Sequence, residues 1–134
     1  MIKPTTENYK KDKYYPKVVK AMNDGLIHSD FASPISVFQR MELLDKGDIE
    51  AWKKGRIRYL EKVIKCNLSK ANRVLRLMRF HGHDLNMKPS ITIYKRKSKS
   101  TKIDLIFSKS GDPKLEEAYS RHFVKIKKKL TNKY

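Results

Sequence analysis

Apolar positions along this chain follow a helical period through its first two thirds and a strand period only after residue 88. From Tyr14, the set Tyr15, Val18, Val19 and Met22 falls on one face and is followed by Gly25, which predicts a short helix stopped by glycine. Ser33 and Pro34 supply a capping residue and a first-turn proline, and Ile35, Val37, Phe38, Met41 and Leu44 carry that helix to about Leu44. Asp45-Lys46-Gly47-Asp48 predicts a turn, with Asp48 capping a further short helix, Ile49 to Lys54, that holds Trp52 and closes at Gly55. Ile57, Leu60, Val63 and Ile64 predict an amphipathic helix over 56–66.

After the turn Asn67-Leu68-Ser69, with Ser69 as cap, the pattern predicts a helix from Lys70 to about Leu85. Ala71, Val74, Leu75, Met78, Gly82 and Leu85 share one arc of about 100°, the width of a core-facing stripe. Lys70, Asn72, Arg73, Arg76 and Arg79 take most of the opposite arc, with Leu77 and Phe80 among them. Past Asn86 to Pro89 the period shortens to two. Ile91 and Ile93 alternate with Thr92 and Tyr94, and Ile103, Leu105 and Phe107 with Asp104 and Ile106, which predicts two strands joined by a basic hairpin tip, Lys95 to Lys102. Ser108 to Gly111 reads as a turn, Asp112-Pro113 as a cap, and Leu115, Ala118, Tyr119, Phe123 and Ile126 as a last helix with acids at its start and lysines at its end. The expected fold is mainly α with a β-hairpin (α+β): a flexible basic arm over 1–13, one globular domain over 14–126 and a basic tail over 127–134.

A length of 134 residues suits one domain, and 39% apolar residues with 13 aromatics suit a folded chain. No apolar run approaches the ~18 residues of a membrane span or a signal-peptide segment, so a cytoplasmic protein without a membrane partner is expected. The lone Cys66 has no partner for a disulfide or zinc knuckle and reads as a structural thiol. Charge changes the picture more. Lys and Arg number 32 against 14 Asp and Glu, a net charge of +18. Residues 1–61 carry only +3 of this and residues 62–134 carry +15; from Lys62 to Lys102 there are 12 basic residues and one acid, Asp84. A segment its own neighbours cannot neutralise points to a polyanionic partner.

A helix, a turn, a second helix with a basic face and a basic hairpin is the element order of a winged helix-turn-helix, in which the second helix enters the major groove and the hairpin forms the wing. On this reading the protein binds nucleic acid without catalysis, DNA before RNA, as a regulator or accessory factor. Its contacts are Lys70, Asn72, Arg73, Arg76 and Arg79 on the helix and Lys95, Arg96, Lys97, Lys99 and Lys102 on the hairpin. Arginines can read guanine edges there, and Asn72 adenine. A cationic helix face is also the ordinary solvated surface of many helices that bind nothing.

Two alternatives stand beside this. An RNA-cleaving, toxin-like nuclease would draw on His81, His83, Tyr94 and His122 with Arg96 or Arg121. A basic interaction protein gripping an acidic partner would show an exposed apolar patch beside the basic face. His81 and His83 point about 160° apart on a helix, which does not suit a shared metal, and no cofactor motif is present. His81 reads as an edge-of-core residue. Tyr94 is the one clear candidate for stacking on a single strand. Trp52, Tyr59, Phe38 and Tyr119 read as core.

Trp52 to Gly55-Arg56, Tyr59-Leu60-Glu61, Asn67-Leu68-Ser69-Lys70, Pro89-Ser90 with Thr92 and Tyr94, Phe107 to Gly111, and Glu117-Ala118-Tyr119 with His122 together resemble a family of small, uncharacterised bacterial proteins over about residues 34–124. The resemblance implies a bacterial or mobile-element origin and a single domain, and it brings no activity with it. Where such proteins usually carry proline before the tyrosine, this chain has Arg58.

Overall fold

A computed structural model describes residues 5, 7–97 and 102–125. Of the expected flexible arm, residues 5 and 7–13 are described, and residues 7–13 join the domain: Tyr9–Lys11 form a one-turn 3-10 segment whose Tyr9 is buried in the core. Residues 1–4 and 6, the C-terminal tail over 127–134 and the hairpin tip at 98–101 with Lys99 fall outside the described residues. The fold is α+β, with helices α1 (Tyr15–His28), α2 (Pro34–Arg40), α3 (Lys46–Lys53), α4 (Leu68–Asp84) and α5 (Pro113–Ser120). Strands β1 (Phe31–Ala32), β2 (Lys88–Ile91) and β5 (Arg121–Val124) form an antiparallel sheet in the order β1-β5-β2, and β3 (Lys95–Lys97) pairs with β4 (Lys102–Asp104) as the hairpin. No described helix is long and apolar enough to cross a membrane.

Local signals account for the helix starts. Ser33 caps α2 by accepting the Ser36 N–H at 3.2 Å, with Pro34 in the first turn, and Asp112 caps α5 by accepting the Lys114 N–H. The cap of α4 is Asn67 rather than Ser69, its side-chain Oδ1 accepting the Lys70 N–H at 2.8 Å. Asp45, not Asp48, precedes α3, which therefore begins before Ile49. α1 runs past Gly25 to His28: this glycine lies buried within the helix beside Ser36 and Arg40 and does not end it. α2 stops at Arg40, short of Leu44, because Glu42 turns left-handed at φ 62° and the Leu43 N–H closes back on the Phe38 carbonyl.

Two expected helices are corrected. Residues 56–66 do not form an amphipathic helix: the N–H groups of Leu60 and Glu61 donate to the carbonyls of Ile106 and Phe107, and Tyr59 bridges Ile106 in parallel. Only a one-turn 3-10 segment, Leu60–Val63, remains, so Tyr59 is half-buried on an extended segment and the helix pair lacks its first partner. The last helix ends at Ser120 because residues 121–124 become β5, the central strand whose two edges satisfy β1 and β2. The strand over 91–94 is also divided. β2 lies before Thr92, whose N–H donates to the Ser120 carbonyl, and the hairpin starts only at Lys95.

The core gathers Trp52, Tyr119, Phe38, Phe107, Leu60, Leu77 and Met78, all fully buried. The Phe107 and Tyr119 rings stack at 5.5 Å, and the indole N–H of Trp52 donates to the Ile106 carbonyl at 2.8 Å. α4 is covered more widely than one stripe predicts. Leu77 is buried, whereas Leu85, just past the helix end, is half exposed. Two carboxylates pin the segment after the hairpin: Glu116 accepts the N–H groups of Phe107 and Ser108 and the Ser108 hydroxyl, and Glu61 accepts the Tyr119 hydroxyl and the Lys109 N–H.

Candidate nucleic-acid interface

Because Ala71, Val74, Leu75 and Met78 turn inward, α4 presents Asn72, Arg76 and Arg79 to solvent. Neither Arg76 nor Arg79 enters an ion pair among the described residues, and the Arg79 guanidinium lies 5.4 Å from the centre of the Phe80 ring. Across from this face stands α5, and the two helices bound a groove of about 590 Å³. Its cationic rim is Arg76, Arg79, Lys114 and Arg121; its floor is Leu75, Leu115 and Ala118. The two acids of the groove are already engaged, Asp112 in capping α5 and Glu117 in an ion pair with Arg121 at 2.8 Å.

Arg73, expected among the exposed contacts, is buried: its guanidinium pairs with the Asp12 carboxylate in the turn before α1, which holds the N-terminal segment to α4, and the residue contributes only to the wall of the α4–α5 groove. Lys70 is half-buried with its ammonium 4.8 Å from the centre of the Tyr14 ring. On the hairpin, Lys95 pairs with Asp104 at 3.1 Å, Arg96 lies opposite Ile103, and Lys97 lies opposite Lys102 in register. The Arg96 side chain packs on Gly55, whose left-handed φ of 78° turns the chain out of α3. That contact brings Lys53, Lys54, Arg56 and Arg58 beside the hairpin. These four and Lys114 are absent from the contacts expected from periodicity, although the spacing of the first four, all cationic within six positions, is visible in the sequence.

The residues of the nuclease alternative are divided between places. His83 is exposed on α4, while His81 is buried beside Tyr15, its ring 5.9 Å from the phenol ring and both its nitrogens without a hydrogen-bond partner among the described residues. His122 is buried beneath Phe31, the rings stacked at 4.7 Å, with the Thr92 hydroxyl 3.2 Å from Nδ1 and the Tyr94 hydroxyl 2.7 Å from Nε2. Tyr94 is therefore no exposed stacking platform: it packs against Trp52 and Phe107, and burial pushes its phenol up to about 12. Strand alternation puts Arg121 on the opposite face of β5 from His122. Burial also pushes up the half-buried Cys66 thiol, which favours its protonated form, with the Lys70 charge opposing that shift. No three of His, Cys, Asp and Glu converge on a metal-sized site among the described residues.

Burial lowers the pKa of both His81 and His122 from 6.5; for His81 the Asp84 charge opposes that shift and Lys10 adds to it. The unfolded chain therefore binds more protons than the folded one below about pH 6.5, and folding stability falls as the pH drops through that range. Urea unfolding at pH 7.5 and pH 5.5 is expected to give a lower midpoint at the acidic pH, and His81→Phe is expected to shrink the difference.

No protein-family model, no curated protein and no solved structure matches this chain.

Proposed function

We propose that this protein binds nucleic acid without catalysing a reaction, duplex DNA in preference to RNA, as a regulator or accessory factor. The observation that carries the proposal is the solvent face of α4, where Asn72, Arg76 and Arg79 stand without acidic partners beside Lys114 on the rim of the α4–α5 groove. Guanidinium groups in such a row suit guanine edges and phosphates alike, and Asn72 suits adenine. The winged-helix-like form of the proposal sends α4 into the major groove and gives the β3–β4 hairpin the backbone. In this chain the helix before α4 is α3, and a pinned extended segment replaces the expected partner helix.

Titration of labelled duplex DNA, single-stranded DNA and structured RNA across a salt series tests this directly. Duplex preference with a steep salt dependence and intact RNA is the expected result. Arg76→Ala is expected to weaken binding to a preferred duplex by about 1–3 kcal/mol and to random duplex by less. Equal losses on both would reduce α4 to a phosphate grip, and cut RNA would favour the nuclease.

One observation favours a second reading. The floor of Leu75, Leu115 and Ala118 beneath a cationic rim also suits an acidic amphipathic helix of a protein partner. Absence of nucleic-acid binding near physiological salt, with retention of an acidic peptide, would select it.

A further inference from the structure

We infer that the chain carries a second phosphate-binding surface, separate from α4, built where the segment leaving α3 meets the β3–β4 hairpin. The inference rests on the nucleic-acid reading and adds residues that reading did not use. Lys53, Lys54, Arg56 and Arg58 are exposed, and none of them, nor Arg96, takes part in an ion pair among the described residues. Five cations held together without a counter-charge repel one another, and the arrangement is tolerated best when a polyanion supplies the missing charge.

The surface is held in place at both ends. At one, Gly55 turns left-handed, the Arg56 N–H closes on the Ala51 carbonyl at 2.9 Å, and the Arg96 side chain lies where a Cβ on Gly55 would sit. At the other, Tyr59 bridges Ile106 while the Trp52 indole N–H and the Leu60 N–H both donate to the Ile106 carbonyl. The backbone of the basic run is thus fixed against the hairpin base instead of trailing in solvent, so binding orders little additional backbone. The cations follow the end of α3 and the turn and bend after it, not one face of a helix that could lie along a groove, which suits contact with a phosphate backbone.

The test compares the intact protein with Lys54→Ala/Arg56→Ala/Arg58→Ala, all solvent-exposed positions, by anisotropy with labelled duplex DNA across a salt series. Far-UV circular dichroism and thermal melting of the variant establish that it folds. The expected result is a slope of log Kobs against log[salt] flatter by about 2–3, near 0.9 for each phosphate no longer neutralised, with weaker binding at physiological salt. An unchanged slope in the folded variant overturns this surface and leaves the α4 reading standing. No duplex binding by the intact protein overturns both. A variant that keeps its duplex affinity but loses binding to a Glu-rich peptide or to phosphatidylserine vesicles also overturns the assignment.

Discussion

Asp12→Ala is expected to destabilise the fold by about 3–5 kcal/mol, measured by urea unfolding at pH 7. The Asp12 carboxylate pairs with the Arg73 guanidinium, and their side chains are only 4% and 9% exposed. Removing the acid takes the carboxylate away from a guanidinium in a low-dielectric site that water reaches poorly, and the cost of keeping that charge buried, more than the missing attraction, sets the loss. The pair joins the turn before α1 to the N-terminal half of α4, and the Tyr9 ring, 5.2 Å from that of Phe80, ties the same segment to α4 about two turns further on. Loosening of the N-terminal segment should therefore accompany the loss, seen as earlier proteolysis there.

Replacing both partners by apolar residues, Asp12→Leu with Arg73→Met, is expected to recover most of the stability, since no buried charge then remains. The same double variant separates structure from function. If Arg73 serves only the fold, the variant binds duplex DNA as the intact protein does; a drop in affinity matching that of Arg76→Ala would return Arg73 to the interface. A loss below about 1 kcal/mol in Asp12→Ala would place the pair in solvent, where such bridges contribute little.

Trp52→Ala is the second large effect, also about 3–5 kcal/mol, from reduced burial and the cavity left behind. Trp52 is fully buried, touches the rings of Phe107 at 5.0 Å and Tyr94 at 5.7 Å, and its N–H satisfies the Ile106 carbonyl. Trp52→Phe keeps most of the packing and loses that hydrogen bond, for a smaller cost of about 1 kcal/mol before repacking. Circular dichroism follows the unfolding of the alanine variant. Because Trp52 ties α3 to the base of the hairpin, the folded fraction of that variant should also lose part of the salt dependence that the 53–58 surface contributes.

The chain's own pattern made four helices legible, those around residues 15–28, 34–40, 46–53 and 68–84, because their apolar spacing, caps and prolines act within a few residues. It also made legible the α+β class and the cationic face of α4, but it placed the hairpin only coarsely: Lys95–Lys97, expected in the tip, form β3, and Lys102–Asp104 form β4. It failed where a distant partner overrode the local pattern. Residues 56–66 have a helical stripe, yet Leu60 and Glu61 give their N–H groups to Ile106 and Phe107. Phe123 continues the helical spacing of Leu115 and Tyr119, yet it lies in the central strand, packed so closely on Gly82 that a Cβ there would overlap its ring.

The candidate site divides in the same way. Charge and periodicity put Arg73, Arg76 and Arg79 on one arc, but Arg73 is buried and paired with Asp12, 61 residues away in sequence. The residues of the 53–58 run have an ordinary basic composition until the Arg96 contact with Gly55 places them beside the hairpin. Sequence by itself determined what short-range geometry controls: helix starts, amphipathic faces and the sign of the field. Tertiary structure decided which cations are drawn inside and which backbone groups leave their own helix, because burial makes every unpaired charge and N–H seek a partner wherever the fold brings one within reach.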